Sequence, residues 1–199
     1  MSSGKAFHGA TLDEALSSAC NELRARLEEL HYDVMDNSES GEVVVEAAVD
    51  PVAVLGLFLS ETFEAGELDI TSRLVEGSEA LEGELDGSDL RLFTASGGRG
   101  LDALQYICNR VLNRRMMDHR PVHLDSDGFK QRRAHKLQER AETAADEALR
   151  RGAPVTLGPL TPAARREIHL ALADDPGVET ESDGEGFLKR VVIRPLRRR

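Results

Sequence analysis

The sequence predicts an α+β protein made of three small α/β-sandwich-like units, and three observations lead there. Amphipathic helical stripes alternate along the chain with short runs of period two, separated by turns rich in Gly, Pro, Asp and Ser. Apolar residues make up 40% of the 199 residues, but aromatic ones only 4% with no Trp, so several small cores are expected rather than one large core. The strongest start signals, Asp50-Pro51 and Gly128, divide the chain into units of residues 1–49, 50–126 and 127–199.

The first unit reads as βαββ. After a strand at Lys5 to His8, Thr11 is an N-cap with Glu14 three residues on, the spacing of a capping box. Leu12, Ala15, Leu16, Ala19, Cys20 and Leu23 then form a helical stripe. Leu30, Tyr32 and Val34 alternate as a strand, residues 37–41 form a turn, and residues 41–49 are the partner strand. The second unit reads as αββαβ. Asp50 caps a helix with Pro51 at its first position, running to near Gly66, and two strands over 68–77 and 79–87 follow, with Gly77-Ser78 between them. A Ser-Gly-Gly-Arg-Gly turn then opens a helix from Leu101, with Leu101, Leu104, Ile107, Cys108, Val111 and Leu112 inward and Asp102, Gln105, Asn109, Arg110 and Asn113 outward. A basic link over 113–120 leads to a strand over 121–127. In the third unit a helix from Phe129 to Arg151 turns Leu137, Ala141, Ala144, Ala145, Ala148 and Leu149 inward and stops at Gly152. A short strand over 155–157 and a helix capped by Thr161-Pro162 come next, with Ala164, Ile168 and Leu172 inward. Two strands around the Gly184 to Gly186 turn and a basic tail, Arg197 to Arg199, complete the chain.

The net charge of −11 conceals a reversal of sign. Residues 1–90 carry four basic and 21 acidic residues, net −17, whereas the remainder carries 21 basic and 15 acidic, net +6. Such asymmetry suits a polyanion-facing C-terminal half and an acidic N-terminal half that is solvating, autoinhibitory or partner-facing. Cys20 and Cys108 sit at apolar helix positions and form no Cys-x-x-Cys pair, which suits a reducing, cytoplasmic setting. No signal peptide, lipidation motif or apolar run of membrane-spanning length is present, so membrane insertion is not expected. Neither a metal nor a cofactor is called for: His119 and His123 are separated by a proline, and no Ser or Cys stands in a nucleophile-elbow context. No catalytic residue is assigned, and the chain is read as a non-enzyme.

Two stretches carry the candidate chemistry. In the turn before Leu101, Gly97, Gly98, Arg99 and Gly100 let backbone approach a ligand closely, and the helix behind them presents free N–H groups and the positive end of its dipole. The same glycines would equally serve a tight turn without a ligand. In the third unit, Arg165 and His169 are four residues apart on one helix and so are surface neighbours, at the edge of the core. They suit a guanidinium on phosphate with an imidazole beside it, or else a packing histidine next to a solubilising arginine.

Residues 101–114 (LDALQYICNRVLNR), 122–133 (VHLDSDGFKQRR) and 160–186, including Arg165-x-x-x-His169, resemble the bacterial Jag, or SpoIIIJ-associated, family. That resemblance implies a Jag-N-like domain over 1–49, a KH-like domain over 50–126 and an R-three-H domain over 127–199. It also implies a single-stranded RNA-binding regulator, in the cytoplasm, tied to cell elongation, division or envelope assembly. Single-stranded DNA is an alternative ligand, a small KH-only protein an implied partner, and a homodimer is compatible with it. The nucleic-acid contacts then fall to Gly97, Gly98, Arg99, Gly100, Arg110, Arg114, Arg115, Arg132, Arg133, Arg165 and His169, with Arg91, Lys130, Lys136, Lys189, Arg190 and Arg194 adding positive charge. A KH clamp is a Gly-x-x-Gly loop. Two registers are open: an ungapped one that puts Ala95 in the first glycine position and ends at Gly98, and one shifted by two residues that runs from Gly97 to Gly100. With Ala95 in that position, a scaffold that docks proteins is the competing reading.

Overall fold

The computed structural model describes residues 4–35, 41–116 and 119–196. The tail at 197–199 and, but for Gly41, the turn expected at 37–41 lie outside the described residues. The chain divides into two compact units, Met1–Asp127 and Gly128–Arg199. Each sheet is three-stranded with helices against it, and the class is α+β.

The first unit holds two sheets. One comprises β1 (Lys5–Gly9), β2 (Leu30–Met35) and β3 (Val43–Val49) in the antiparallel order β1-β3-β2, with α1 (Leu12–Leu23) packed on β1 and β3. The Thr11 hydroxyl accepts the Glu14 N–H at 3.3 Å, and the Glu14 carboxylate reaches back to the Ala10 N–H at 2.9 Å. This satisfies two donors that the helix cannot. Phe7, Ala15, Leu16, Ala19, Leu30, Val45 and Ala47 form the core. Tyr32 and Val34 stand opposite Ala47 and Val45, on the core side, yet both are exposed. The period-two pattern is correct, but β2 is the outer strand and α1 does not reach over it.

The other sheet is built by α2 (Pro51–Ala65), β4 (Thr71–Glu76), β5 (Leu81–Asp86), α3 (Arg91–Arg115) and β6 (Val122–Asp125), in the order β4-β5-β6 with β5 and β6 parallel. The Asp50 carboxylate caps α2 by accepting the Val52 N–H at 2.8 Å. Leu55, Leu59, Leu81, Leu85, Leu101, Leu112 and Leu124 are fully buried here, and each such leucine contributes roughly 2 kcal/mol of burial. Cys108 is buried with them, and burial pushes its thiol up to about 12, out of reach of redox chemistry at neutral pH. Ile107, read from the sequence as inward, is instead 45% exposed. One step along a helix turns a side chain by about 100°, and the stripe through Leu101, Leu104, Cys108 and Leu112 leaves Ile107 on the flank.

Two ion pairs tie the two sheets of this unit together. Arg26, beside the single 3-10 turn Leu27–Glu29, pairs with Glu61 of α2, and Glu29 pairs with Arg115 of α3. Glu29 is 4% exposed, and its carboxylate also accepts the Arg26 N–H at 2.8 Å. The Arg26 hydrogen bond, followed by its charge, holds the Glu61 carboxyl below the usual carboxylate range.

The second unit has α4 (Phe129–Arg151), β7 (Val155–Leu160), α5 (Pro162–Ala171), β8 (Val178–Asp183) and β9 (Lys189–Pro195), with the antiparallel order β7-β9-β8. Ala141, Ala144, Ala145 and Ala148 bring α4 close to the sheet, where Val191 and Ile193 of β9 and Ile168 of α5 complete the core. Leu149, inward by the sequence pattern, is 44% exposed. The alanine stripe leaves room for the helix to approach, so the next position along faces out.

Candidate nucleic-acid interface

The glycine turn lies inside α3, not before it. Helical backbone begins at Arg91, breaks over Ala95, Ser96, Gly97 and Gly98, and resumes to Arg115. Ala95 is extended, while Ser96, Gly97 and Gly98 are left-handed, with φ of 53°, 75° and 79°. Gly97 and Gly98 take this conformation freely, whereas Ser96, which carries a Cβ, is strained in it. The break therefore spans Ala95 to Gly98, and Arg99 and Gly100 belong to the helix that follows.

Gly100 has a packing role. A Cβ there would lie 2.8 Å from Phe93 Cα, so the residue's bareness seats the short first helical segment against the long one. Phe93 then meets Phe63 of α2 edge-on, with ring centroids 6.1 Å apart. The sequence reading missed this first segment because Leu92 is exposed and four residues are too few to show a helical period. Gly97, in contrast, faces open space.

Of the arginines assigned to this unit, Arg99, Arg110 and Arg114 are exposed on α3, and Arg115 is committed to Glu29. Eleven residues of helix separate Arg99 from Arg110 by about 16 Å. The loop and the Arg110–Arg114 pair therefore cannot converge on one phosphate. Gln105 and Asn109, read as outward polar residues, face β6 instead. Asn109 accepts the Val122 N–H at 3.0 Å and donates to its carbonyl at 3.2 Å, and Gln105 accepts the Leu124 N–H at 3.0 Å. These amides satisfy the outer edge of β6, which no described strand covers.

In the second unit Thr161 caps α5 through the Ala164 N–H at 3.3 Å, and Pro162 takes the first turn. Arg165 and His169 project from α5 toward β8, where they share Ser182. Arg165 Nη1 donates to Ser182 Oγ at 2.9 Å; His169 Nε2 lies 3.0 Å from the same oxygen and Nδ1 lies 2.6 Å from Thr180 Oγ1. Burial, followed by the nearby Arg165 charge, lowers the His169 pKa. A neutral imidazole suits this chain. Ser182 accepts from Arg165, gives its own hydrogen to Nε2, and Nδ1–H donates to Thr180. A protonated ring would crowd two cationic donors onto one hydroxyl. His169 is thus a positioning residue for Arg165, whose Nε is buried and lacks a hydrogen-bond partner among the described residues.

The remaining basic residues are not gathered around this pair. Arg132 lines an open groove of about 790 Å3 between α4 and α5, together with Glu167 and Leu170. Glu167 is about 200° around α5 from Arg165, so Arg132 and Arg165 lie on different sides of that helix. Arg133 stacks over the Phe129 ring at 5.8 Å, and Lys130, Arg132 and Arg133 all have interaction partners. Along β9 strand alternation puts Lys189 on the helix-covered face and Arg190 and Arg194 on the other. Arg194 meets Glu181 there at 3.4 Å.

Residues 135–195, which include the Arg165–His169 pair, match the model of the R-three-H domain, and residues 7–41 match that of the Jag N-terminus. The fold and site thus define a protein with an R-three-H domain at its C-terminal side and a Jag N-terminus at the other. The chain is 29% identical over 201 residues to an RNA-binding protein KhpB of Clostridium symbiosum, covering 92% of this chain and 87% of that protein. It is 25% identical over 199 residues to an RNA-binding protein KhpB of Bacillus subtilis (strain 168), covering 93% and 95%. A third, from Lactiplantibacillus plantarum, is 30% identical over 154 residues, covering 76% of this chain and 48% of the relative. The chain is thus similar over nearly all of its length to two RNA-binding proteins KhpB, with a Jag N-terminus match and an R-three-H match toward its two ends.

Proposed function

We propose that this protein binds single-stranded RNA, with Arg165 of the second unit as its principal phosphate contact and the Ala95–Gly98 turn as a second, weaker one. The observation that carries the reading is the Arg165–Ser182–His169–Thr180 chain. It holds a guanidinium by a neutral ring and a hydroxyl, neither of which cancels its charge. The names of the relatives, all RNA-binding proteins, support it. At the turn, the open space beside Gly97 and the N–H groups of the following helix suit a phosphate. Two weak sites on one chain gain affinity through effective concentration.

The wider reading is of a regulator without catalysis, in the cytoplasm, acting in elongation, division or envelope assembly. It divides the chain into modules of 1–49, 50–126 and 127–199, of which the middle one is KH-like and its small-protein partner a second KH module. No described helix is long and apolar enough to cross a membrane.

The test is affinity for a labelled single-stranded RNA as a function of salt. The logarithm of the binding constant should fall linearly with the logarithm of salt, by about 0.7 per phosphate neutralised. Arg165→Ala should weaken binding and reduce that slope by about one phosphate's share. A flat slope, or no binding at low salt, overturns the reading.

A second reading, a protein-docking scaffold, is favoured by Ala95 in the clamp and by exposed Leu92, Tyr106 and Ile107 on α3. Gly97→Asp, for which there is room although φ of 75° makes any side chain cost about 1 kcal/mol, separates the two when compared with Gly97→Ala as the control for that cost. It should weaken RNA binding if the turn holds phosphate and leave it unchanged if the turn is only a scaffold.

A further inference from the structure

The β8–β9 hairpin carries Phe187, 68% exposed, the most exposed of the large apolar residues among those described, with Leu188 beside it at 41%. An aromatic ring at that exposure contributes little burial to the fold, and the chain has only six Phe, two Tyr and no Trp to place. Its position is fixed from both sides. Ser182, five residues before it, receives the Arg165 hydrogen bond at 2.9 Å, and Lys189, two residues after it, pairs with Leu160, next to the Thr161 cap of α5. The hairpin tip and the first turn of α5, with Arg165 on it, therefore lie at the same end of the second unit. At about 3.3 Å per residue of strand, the five residues from Ser182 to Phe187 span at most about 16 Å, a distance that a few nucleotides of a single strand can bridge.

We infer that Phe187 is a base-stacking platform, taking an unpaired nucleobase of the same strand whose phosphate Arg165 takes; this rests on the RNA-binding reading above. A nucleobase offers a π-face to the ring whatever its identity, so the contact would be tolerant of sequence. The charge at the tip is mixed. Asp183 stands opposite Arg190 in the cross-strand register, Glu185 is at the turn, and Lys189 and Arg165 lie toward α5. A cation near the ring and an acidic turn beyond it direct a polyanion to the α5 side. Gly184 and Gly186, with φ of 107° and 77° and nothing within 4 Å of a Cβ, leave the loop around the ring unobstructed.

The experiment uses the full chain and a fluorescein-labelled single-stranded RNA of mixed sequence. Phe187→Ala should weaken binding about tenfold with no change in salt slope, because no charge is removed. Phe187→Trp should keep the affinity, and since the chain has no other Trp its emission should be quenched by unlabelled RNA. Wild-type affinity in Phe187→Ala, or Trp emission unmoved at saturating RNA, overturns the inference while leaving RNA binding intact. Absence of binding by the wild-type chain overturns the underlying reading and the inference with it.

Discussion

Truncating Arg115 separates a structural arginine from those proposed to contact RNA. Glu29 is buried, accepts the Arg26 N–H at 2.8 Å and pairs with the Arg115 guanidinium, while the Arg26 guanidinium stands off at 3.5 Å. Arg115→Ala leaves that carboxylate in place with its strongest charge partner gone. Unpairing a fully buried ion pair costs about 3–5 kcal/mol. The Arg115 side chain keeps 34% exposure, so water already screens part of the interaction, and the expected loss is about 1–3 kcal/mol. For a unit of this length each kcal/mol moves Tm by about 3–5 °C. The transition of Met1–Asp127 should therefore fall by several degrees, with that of Gly128–Arg199 as an internal reference. Calorimetry and urea denaturation of the full chain measure it. A double-mutant cycle with Glu29→Gln should return a coupling of about 1–2 kcal/mol. RNA affinity should stay within twofold or so of wild type. A stability change under about 0.5 kcal/mol, or a large loss of RNA affinity at unchanged stability, would refute the assignment.

Two further outcomes follow from the geometry. Because the folded-state pKa of His169 lies below its ordinary value, the unfolded chain takes up the proton more readily. The neutral ring's contribution to the second unit is then complete above about pH 6.5 and is lost as pH falls through the lowered value. Tm measured from pH 8 to pH 5 should decline less steeply in His169→Gln than in wild type, and equal slopes would count against the neutral-ring network. In the first unit, Gly100→Ala drives a Cβ to 2.8 Å from Phe93 Cα and should cost about 1–3 kcal/mol. Gly97→Ala, in open space but at φ of 75°, should cost about 1 kcal/mol; urea denaturation giving the reverse order would contradict the packing role of Gly100.

The α+β class and most elements were legible in the sequence because local rules decide them. Asp50-Pro51, Thr161-Pro162 and Gly152 announce helix ends through backbone hydrogen bonding within a turn. The alternation in β8 and the alanine stripe of α4 follow from strand and helix periods alone. Arg165 and His169 were legible as a neighbouring pair for the same reason. Their partners Ser182 and Thr180 were not, since a strand eleven or more residues away meets the helix only after folding.

What the tertiary structure alone decided is which amphipathic positions are covered and which charges are free. Tyr32 and Val34 obey their strand's period but stand beyond the reach of α1, and Ile107 and Leu149 sit on helix flanks that are left nearly half exposed. Arg115 reads like its neighbour Arg114, yet an acid 86 residues away claims it. Gln105 and Asn109 have the composition of an outward helix face and the job of covering a sheet edge. Period and capping are properties of a few consecutive residues, and so the sequence by itself determines them. Coverage, ion pairing and the separation of Arg132 from Arg165 by the girth of α5 depend on which distant segments arrive alongside, and only the packed chain determines those.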